Sequence, residues 1–314
     1  MRLAAGSRWL HRARSRLRAD PRAFLVLWRR LAPPAYVTLL AVLFPAVYGG
    51  GDADAHAYYQ AAAFPTAIYA HPMAGTPDAY LYAPPFAQAL APLAALGWPA
   101  FAVAWYALLG TVLWWLAREW APLLLVVPVA YPWSPAGVVL PVLREIQVGN
   151  VEFLYAATFV VLARRPALWA LPLLTKPTLG VGLVWYAARR EWRGLGVALG
   201  ATAGIAAVSA ALDPGAWVQW AALLAANARD SVVSPSDAPF TFLPLAPRLA
   251  GSLLLVAWGA RSDRSWTLVV GAVFALPIFW QASPVLLLGL LPLARQRRAV
   301  AQRQVGGDGG LPAS

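Results

Sequence analysis

The sequence predicts an all-α protein: a polytopic transmembrane helical bundle whose long extracytoplasmic loops carry short interfacial helices. Three observations predict it. The 314 residues are 60% hydrophobic and 12% charged, about half the charged fraction of a soluble domain. Apolar runs near the ~20-residue bilayer length recur along the chain. Nine Arg lie within residues 1–30, ahead of the first such run.

The elements follow in chain order. A basic block such as 1–30 can bind nucleic acid. Ahead of an apolar run it is instead expected to hold the N-terminus in the cytoplasm against anionic lipid, and no nucleic-acid partner is expected. The run that follows is long and lacks a small-residue cleavage site, so a signal peptide is not expected. A transmembrane domain is expected over 31–298. Its apolar segments lie near 31–48, 99–117, 121–141, 146–163, 167–188, 194–212, 241–258, 266–282 and 284–294. Residues 49–98 and 213–240 are expected as two large extracytoplasmic loops that can roof a cavity. The Gly/Gln-rich tail, 299–314, is expected to be disordered and cytoplasmic.

Topology is set by the basic residues near the span ends. In one arrangement 83–96 lies flat on the outer face, and 167–188 is a hairpin entering and leaving on the cytoplasmic side. In another, both segments span. The first keeps 21 of the 25 basic residues inside and the second 19, whereas letting only 167–188 span keeps 14. Its length suits a span, whereas Pro172, Pro177 and Lys176 favour a break. The hairpin arrangement is preferred, because it alone brings the polar groups below to one side.

Composition also excludes chemistry. With no Cys there is no disulfide, Cys-ligated zinc or Cys nucleophile. The three His are scattered at 11, 56 and 71, so a His-based metal site is not expected. The Arg, Ala and Pro excess points to a GC-rich bacterium.

Four stretches can carry chemistry. In GGGDADAHAYYQAAA (49–63), Asp52 and Asp54 stand with His56, Tyr58 and Tyr59 where an apolar run ends. A carboxylate there can act as a general base if burial raises its pKa, or can merely mark a hydrated helix end after a glycine turn. In YLYAPPFAQALAPL (80–93), Tyr80 and Tyr82 suit interfacial anchors and the Pro pair a stiff turn before an amphipathic helix. In REIQVGNVEF (144–153), Gln147 and Asn150 are three apart and would share a helix face. They can line a cavity or join helices, while Arg144 beside Glu145 reads as a surface ion pair. In LLTKPTLG (173–180), Lys176 is the only lysine. No acid shares its segment, so a phosphate is a natural partner; the alternative is a lysine that snorkels to the interface.

Taken in order, these stretches resemble glycosyltransferase family 87, part of the GT-C superfamily and of the polyprenyl-phosphate-mannose-dependent mannosyltransferase type. The matching residues are Asp54-Ala-His-Ala-Tyr58-Tyr59, then Tyr80-Leu-Tyr82-Ala-Pro84-Pro85 with Leu90-Ala-Pro92-Leu93. Gln147-Val-Gly149-Asn150 follows, and then Lys176-Pro177 ahead of Arg189-Arg190-Glu-Trp192-Arg193. The resemblance covers about 31–195. The C-terminal half matches only loosely, and Trp280-Gln281-Ala282-Ser283-Pro284 stands where the family often has a His-containing element.

The resemblance implies a GT-C-like fold and an integral-membrane hexosyltransferase, expected to be a mannosyltransferase of the cell envelope. Its donor would be a polyprenyl-phosphate sugar and its acceptor an envelope glycolipid or glycan. Transfer would invert the anomeric carbon at the extracytoplasmic face of the plasma membrane. Asp54 is the expected base, with Asp52 as the fallback. His56, Tyr58, Tyr59, Tyr80, Tyr82, Gln147, Asn150 and Lys176 are the expected substrate-binding residues. No cofactor or metal is expected, and no nucleotide-binding loop is present. Two other classes stay open: an envelope lipid or polysaccharide transporter, and an inactive partner subunit.

Overall fold

The computed structural model describes residues 21–48, 54–70, 78–131, 137–162, 164–229 and 243–307. It is almost wholly helical. Three of its helices are long and apolar enough to cross a membrane, at Phe24–Leu43, Trp98–Leu124 and Trp192–Leu212.

Helix α1 (Pro21–Tyr48) is followed by the short α2 (Asp54–Ala63), α3 (Pro84–Ala94) and the long α4 (Trp98–Ala117). With 11 residues α3 is too short to cross a bilayer. Pro84 and Pro85 open it, where missing N–H groups cost least. The Tyr80 hydroxyl replaces a side-chain cap: it donates to Ala83 O at 3.0 Å and accepts from Ala87 N at 2.9 Å. Helix α2 lies on α3 and the start of α4 through an aromatic cluster. In it the Tyr58 ring meets those of Tyr80, Tyr82, Phe86 and Trp105.

The apolar stretch 121–141 does not form a span. Helix α5 (Ala121–Leu124) stops after one turn, and β1 (Val129–Tyr131) pairs antiparallel with β2 (Gly137–Val139). Pro122, Pro128, Pro132 and Pro135 interrupt any helix, and the intervening valines suit strands.

The next span is broken. Helix α6 (Pro141–Val148) ends at Gly149, which adopts φ +68° and sends its N–H back to Glu145 O and Ile146 O. Helix α7 (Glu152–Val161) starts three residues on. Asn150 therefore sits in the break, and the expectation that it shares a helix face with Gln147 fails.

Segment 166–189 folds back on itself. A 3₁₀ turn (Pro166–Trp169) and α8 (Ala170–Thr175) lead to Lys176, and a 3₁₀ stretch (Pro177–Leu183) and α9 (Val184–Arg189) return. The Trp169 indole covers Gly182 and donates to the Tyr186 hydroxyl at 3.3 Å, and Leu173 lies over Gly180. These pairs are antiparallel about Lys176–Pro177, the hairpin apex. Proline at 177 cannot donate an N–H to continue α8. Leu174 O instead accepts from Ala83 N at 2.9 Å, which ties the hairpin to the start of α3.

Helices α10 (Trp192–Leu212) and α11 (Pro214–Arg229) follow, the latter within the second expected loop. Helices α12 (Leu245–Arg261) and α13 (Trp266–Ala275) pack antiparallel, with Gly259 against Thr267 and Gly271 against Val256 and Ser252. The buried Arg248 guanidinium closes the end of α13 by donating to Leu276 O at 2.7 Å and Pro277 O at 3.2 Å. The expected span 266–282 thus ends early. A 3₁₀ stretch (Ser283–Gly289) then runs into α14 (Leu290–Gly307). That helix overturns the expected disorder of 299–307, where Ala, Val, Gln and Arg continue a helix-favouring run.

Candidate functional site

Breaks in the helices bring the site together. Asp54 stands in the first turn of α2, with Tyr58 one turn on along the same face. Gly149 lets that end of α2 approach: a Cβ on it would lie 2.5 Å from Ala55 Cβ. Trp105 fixes the same turn from α4 by donating Nε1–H to Gly149 O at 2.7 Å.

Asn150 Oδ1 is the centre of one polar group. It accepts from the hydroxyls of Tyr58 at 3.1 Å and Tyr82 at 3.4 Å, and from Val151 N at 2.7 Å. The two hydroxyls are 3.2 Å apart. Burial pushes the pKa of both tyrosines well above the usual phenol value, so both keep their protons.

Lys176 is the centre of a second group. Its Nζ donates to Glu152 Oε1 at 3.3 Å and lies 5.4 Å from the Tyr155 ring centre. The same Glu152 oxygen accepts from Ser283 Oγ at 3.2 Å, and Ser283 Oγ accepts from Trp280 N at 3.0 Å. Glu152 N in turn donates to Glu145 Oε1 at 3.0 Å. Glu145 and Glu152 are both fully buried, and Oε2 of each has no hydrogen-bond partner among the described residues.

Asp54 lies within electrostatic reach of both groups. Its pKa is raised to about 6, first by desolvation within the surrounding protein. The Lys176 charge pulls it down, Glu152 pushes it up and Arg144 pulls it down. A carboxylate tuned near neutrality and open to one side can accept a proton from a substrate hydroxyl.

The structure therefore brings together Asp54, Tyr58, Tyr82, Asn150 and Lys176. Tyr80 is buried and occupied in capping α3. Gln147 enters through its backbone carbonyl, which accepts from Tyr106 at 3.4 Å. His56 and Tyr59 turn the other way on α2: His56 Nδ1 meets Asp78 at 2.6 Å, and both rings pack near Trp98. Asp52 lies outside the described residues.

Two readings of the polar stretches change. The anion beside Lys176 is Glu152, supplied by another helix, where the segment alone suggested a phosphate or a lysine that snorkels to the interface. Glu145 is not half of a surface pair, since it is buried against Glu152 N while Arg144 is exposed. Glu145, Glu152, Tyr155 and Ser283 were missed as site residues. The signal for the two glutamates was their presence in an apolar stretch of a chain with only 13 acids. For Ser283 the only signal was its stretch, Trp280-Gln281-Ala282-Ser283-Pro284, at the place of the family's His-containing element.

The molecule is thus a helical membrane protein with an enclosed lysine at a hairpin apex and, near it, a carboxylate in the first turn of a short helix. The sequence model for glycosyltransferase family 87 matches residues 80–294, more than half of the chain, and the chain belongs to that family. No individual curated protein and no solved structure matched it. The match corrects the extent of the resemblance: it takes in the C-terminal half, including Ser283, and begins after Asp54. Asp54 is therefore a candidate on its geometry and its own motif.

Proposed function

We propose that this glycosyltransferase transfers a hexose, mannose by the resemblance, from a polyprenyl-phosphate donor to an envelope glycolipid or glycan. The reaction runs at the extracytoplasmic face of the plasma membrane, with the N-terminus cytoplasmic. The observation that carries this reading is the proximity of Asp54 to Lys176, close enough for the lysine charge to act on the Asp54 carboxylate. One group suits a base and the other an anion.

In the proposed step the acceptor hydroxyl oxygen attacks the anomeric carbon while Asp54 takes its proton. The bond from that carbon to the phosphate oxygen breaks, and the lipid phosphate leaves with the electron pair. Attack from the opposite side inverts the centre. Lys176 balances the phosphate charge, and the proton-bearing Tyr58 and Tyr82 hydroxyls offer donors nearby. No nucleotide or metal takes part in this step.

The test is transfer of label from polyprenyl-phosphate mannose in membranes. Asp54→Ala should lose roughly 10²–10⁴-fold in rate, the span a positioned acid–base group supplies, with an unchanged melting profile. Full activity of that variant overturns the assignment of the base.

A further inference from the structure

Lys176 already has an anion. Glu152 Oε1 takes its ammonium at 3.3 Å, and Ser283 holds the same oxygen at 3.2 Å. The contact is enclosed: the Lys176 side chain is 13% exposed and that of Glu152 1%. An enclosed ammonium is held most stably beside a counter-charge. Only one of its three N–H donors meets Glu152, and the Tyr155 ring supports the ammonium from another side. Tyr155 is itself held, donating to Thr175 Oγ1 at 2.7 Å just before the apex.

We propose that Glu152 is a positioning residue that holds the Lys176 ammonium in place when no donor is bound, and shares it with the donor phosphate when one is. This rests on the reading of Lys176 as the cation for that phosphate. Glu152 gives up donor affinity for readiness, because its charge repels the incoming phosphate at close range in a weakly screened site. It also speeds release of the lipid phosphate product by reclaiming the lysine. Ser283, from the C-terminal half, keeps the carboxylate on the lysine side.

The test measures binding of polyprenyl phosphate, the product lipid, to the purified protein in nanodiscs, together with the transfer kinetics. Glu152→Gln keeps the shape and loses the charge. It should bind polyprenyl phosphate about tenfold tighter, lower the donor KM and lower kcat, so the two constants fall together. A merely structural role for Glu152 would raise KM or leave it unchanged while kcat fell, and that result overturns the proposal. Glu152→Asp withdraws the charge by one methylene; if the Gln variant does not fold, the Asp variant should still tighten binding a few-fold, and unchanged binding there overturns the proposal. Lys176→Met separates the two claims. If it binds polyprenyl phosphate as well as the unmodified protein does, the assignment of Lys176 fails. If it loses binding while Glu152→Gln binds normally, only the role of Glu152 fails.

Discussion

Two neighbouring segments share length and apolar character but fold differently. Residues 166–189 turn back at Lys176, whereas Trp192–Leu212 runs as one helix of 21 residues. The difference is local. Segment 166–189 holds Pro172, Lys176 and Pro177, while 192–212 has no proline and no charge beyond Arg193. Their glycines differ too. Gly182 lies under the Trp169 indole, whereas Gly196, Gly200 and Gly204 face open space. Unbroken helices leave every backbone group satisfied and can only support. A broken one exposes a turn inside the apolar layer, and there the charged groups gather. Lys176 sits at one break and Asn150 at another.

The largest effect should come from attacking the fold-back itself. Gly182→Ala puts a methyl into the Trp169 ring and should cost about 1–3 kcal/mol of stability through overpacking. Gly200→Ala, on the exposed side of α10, should change stability by no more than about 0.5 kcal/mol. Thermal unfolding of both variants in the same detergent measures the gap. Equal melting would mean that 166–189 is not packed as a hairpin.

A second test asks whether the charge at the hairpin apex is felt at the base. Asp54 works only when deprotonated, and its pKa is raised to about 6. The rate at limiting donor should therefore fall about tenfold per pH unit below 6 and level off above it. Lys176 lowers that pKa, so Lys176→Met should move the acid limb to higher pH in whatever activity is left. An acid limb that stays put would uncouple the hairpin from Asp54.

The same comparison accounts for what the sequence could reveal. Hydropathy and length identified a helical membrane protein, and the Pro–Lys–Pro pattern indicated the turn at 176. The stretch 121–141 misled because hydropathy does not register its five prolines. Asp54, Tyr58, Tyr82, Asn150 and Lys176 were legible because each is polar where apolar residues surround it. Glu152 was visible in the same way, but its partner was not. A pair 24 positions apart is fixed by how α7 lies against the hairpin, and that depends on packing across several helices. Ser283, 131 positions from Glu152, was further out of reach for the same reason. Within α2 the rule for reading faces worked only once the helix start was known. From the string alone, His56 and Tyr59 look as close to the site as Tyr58.

The smallest expected effect applies the comparison to α2, whose two faces play the parts of the broken and unbroken segments. Asp54 and Tyr58 face the site; His56 faces Asp78, with Gln60 Nε2 at 3.3 Å from its other ring nitrogen. Asp78 has φ +58°, a left-handed conformation that Asp tolerates better than most residues. The His56–Asp78 contact thus pins the start of 78–82 to α2, and Tyr82 follows within four residues. Both side chains are part-exposed, at 28% and 22%, so the pair should contribute no more than about 1 kcal/mol. His56→Ala should therefore leave transfer within about threefold of normal, with the loss in KM because Tyr82 is held less firmly. A loss as large as that expected for Asp54→Ala would show that the outer face of α2 belongs to the site, and the division between its faces would be wrong.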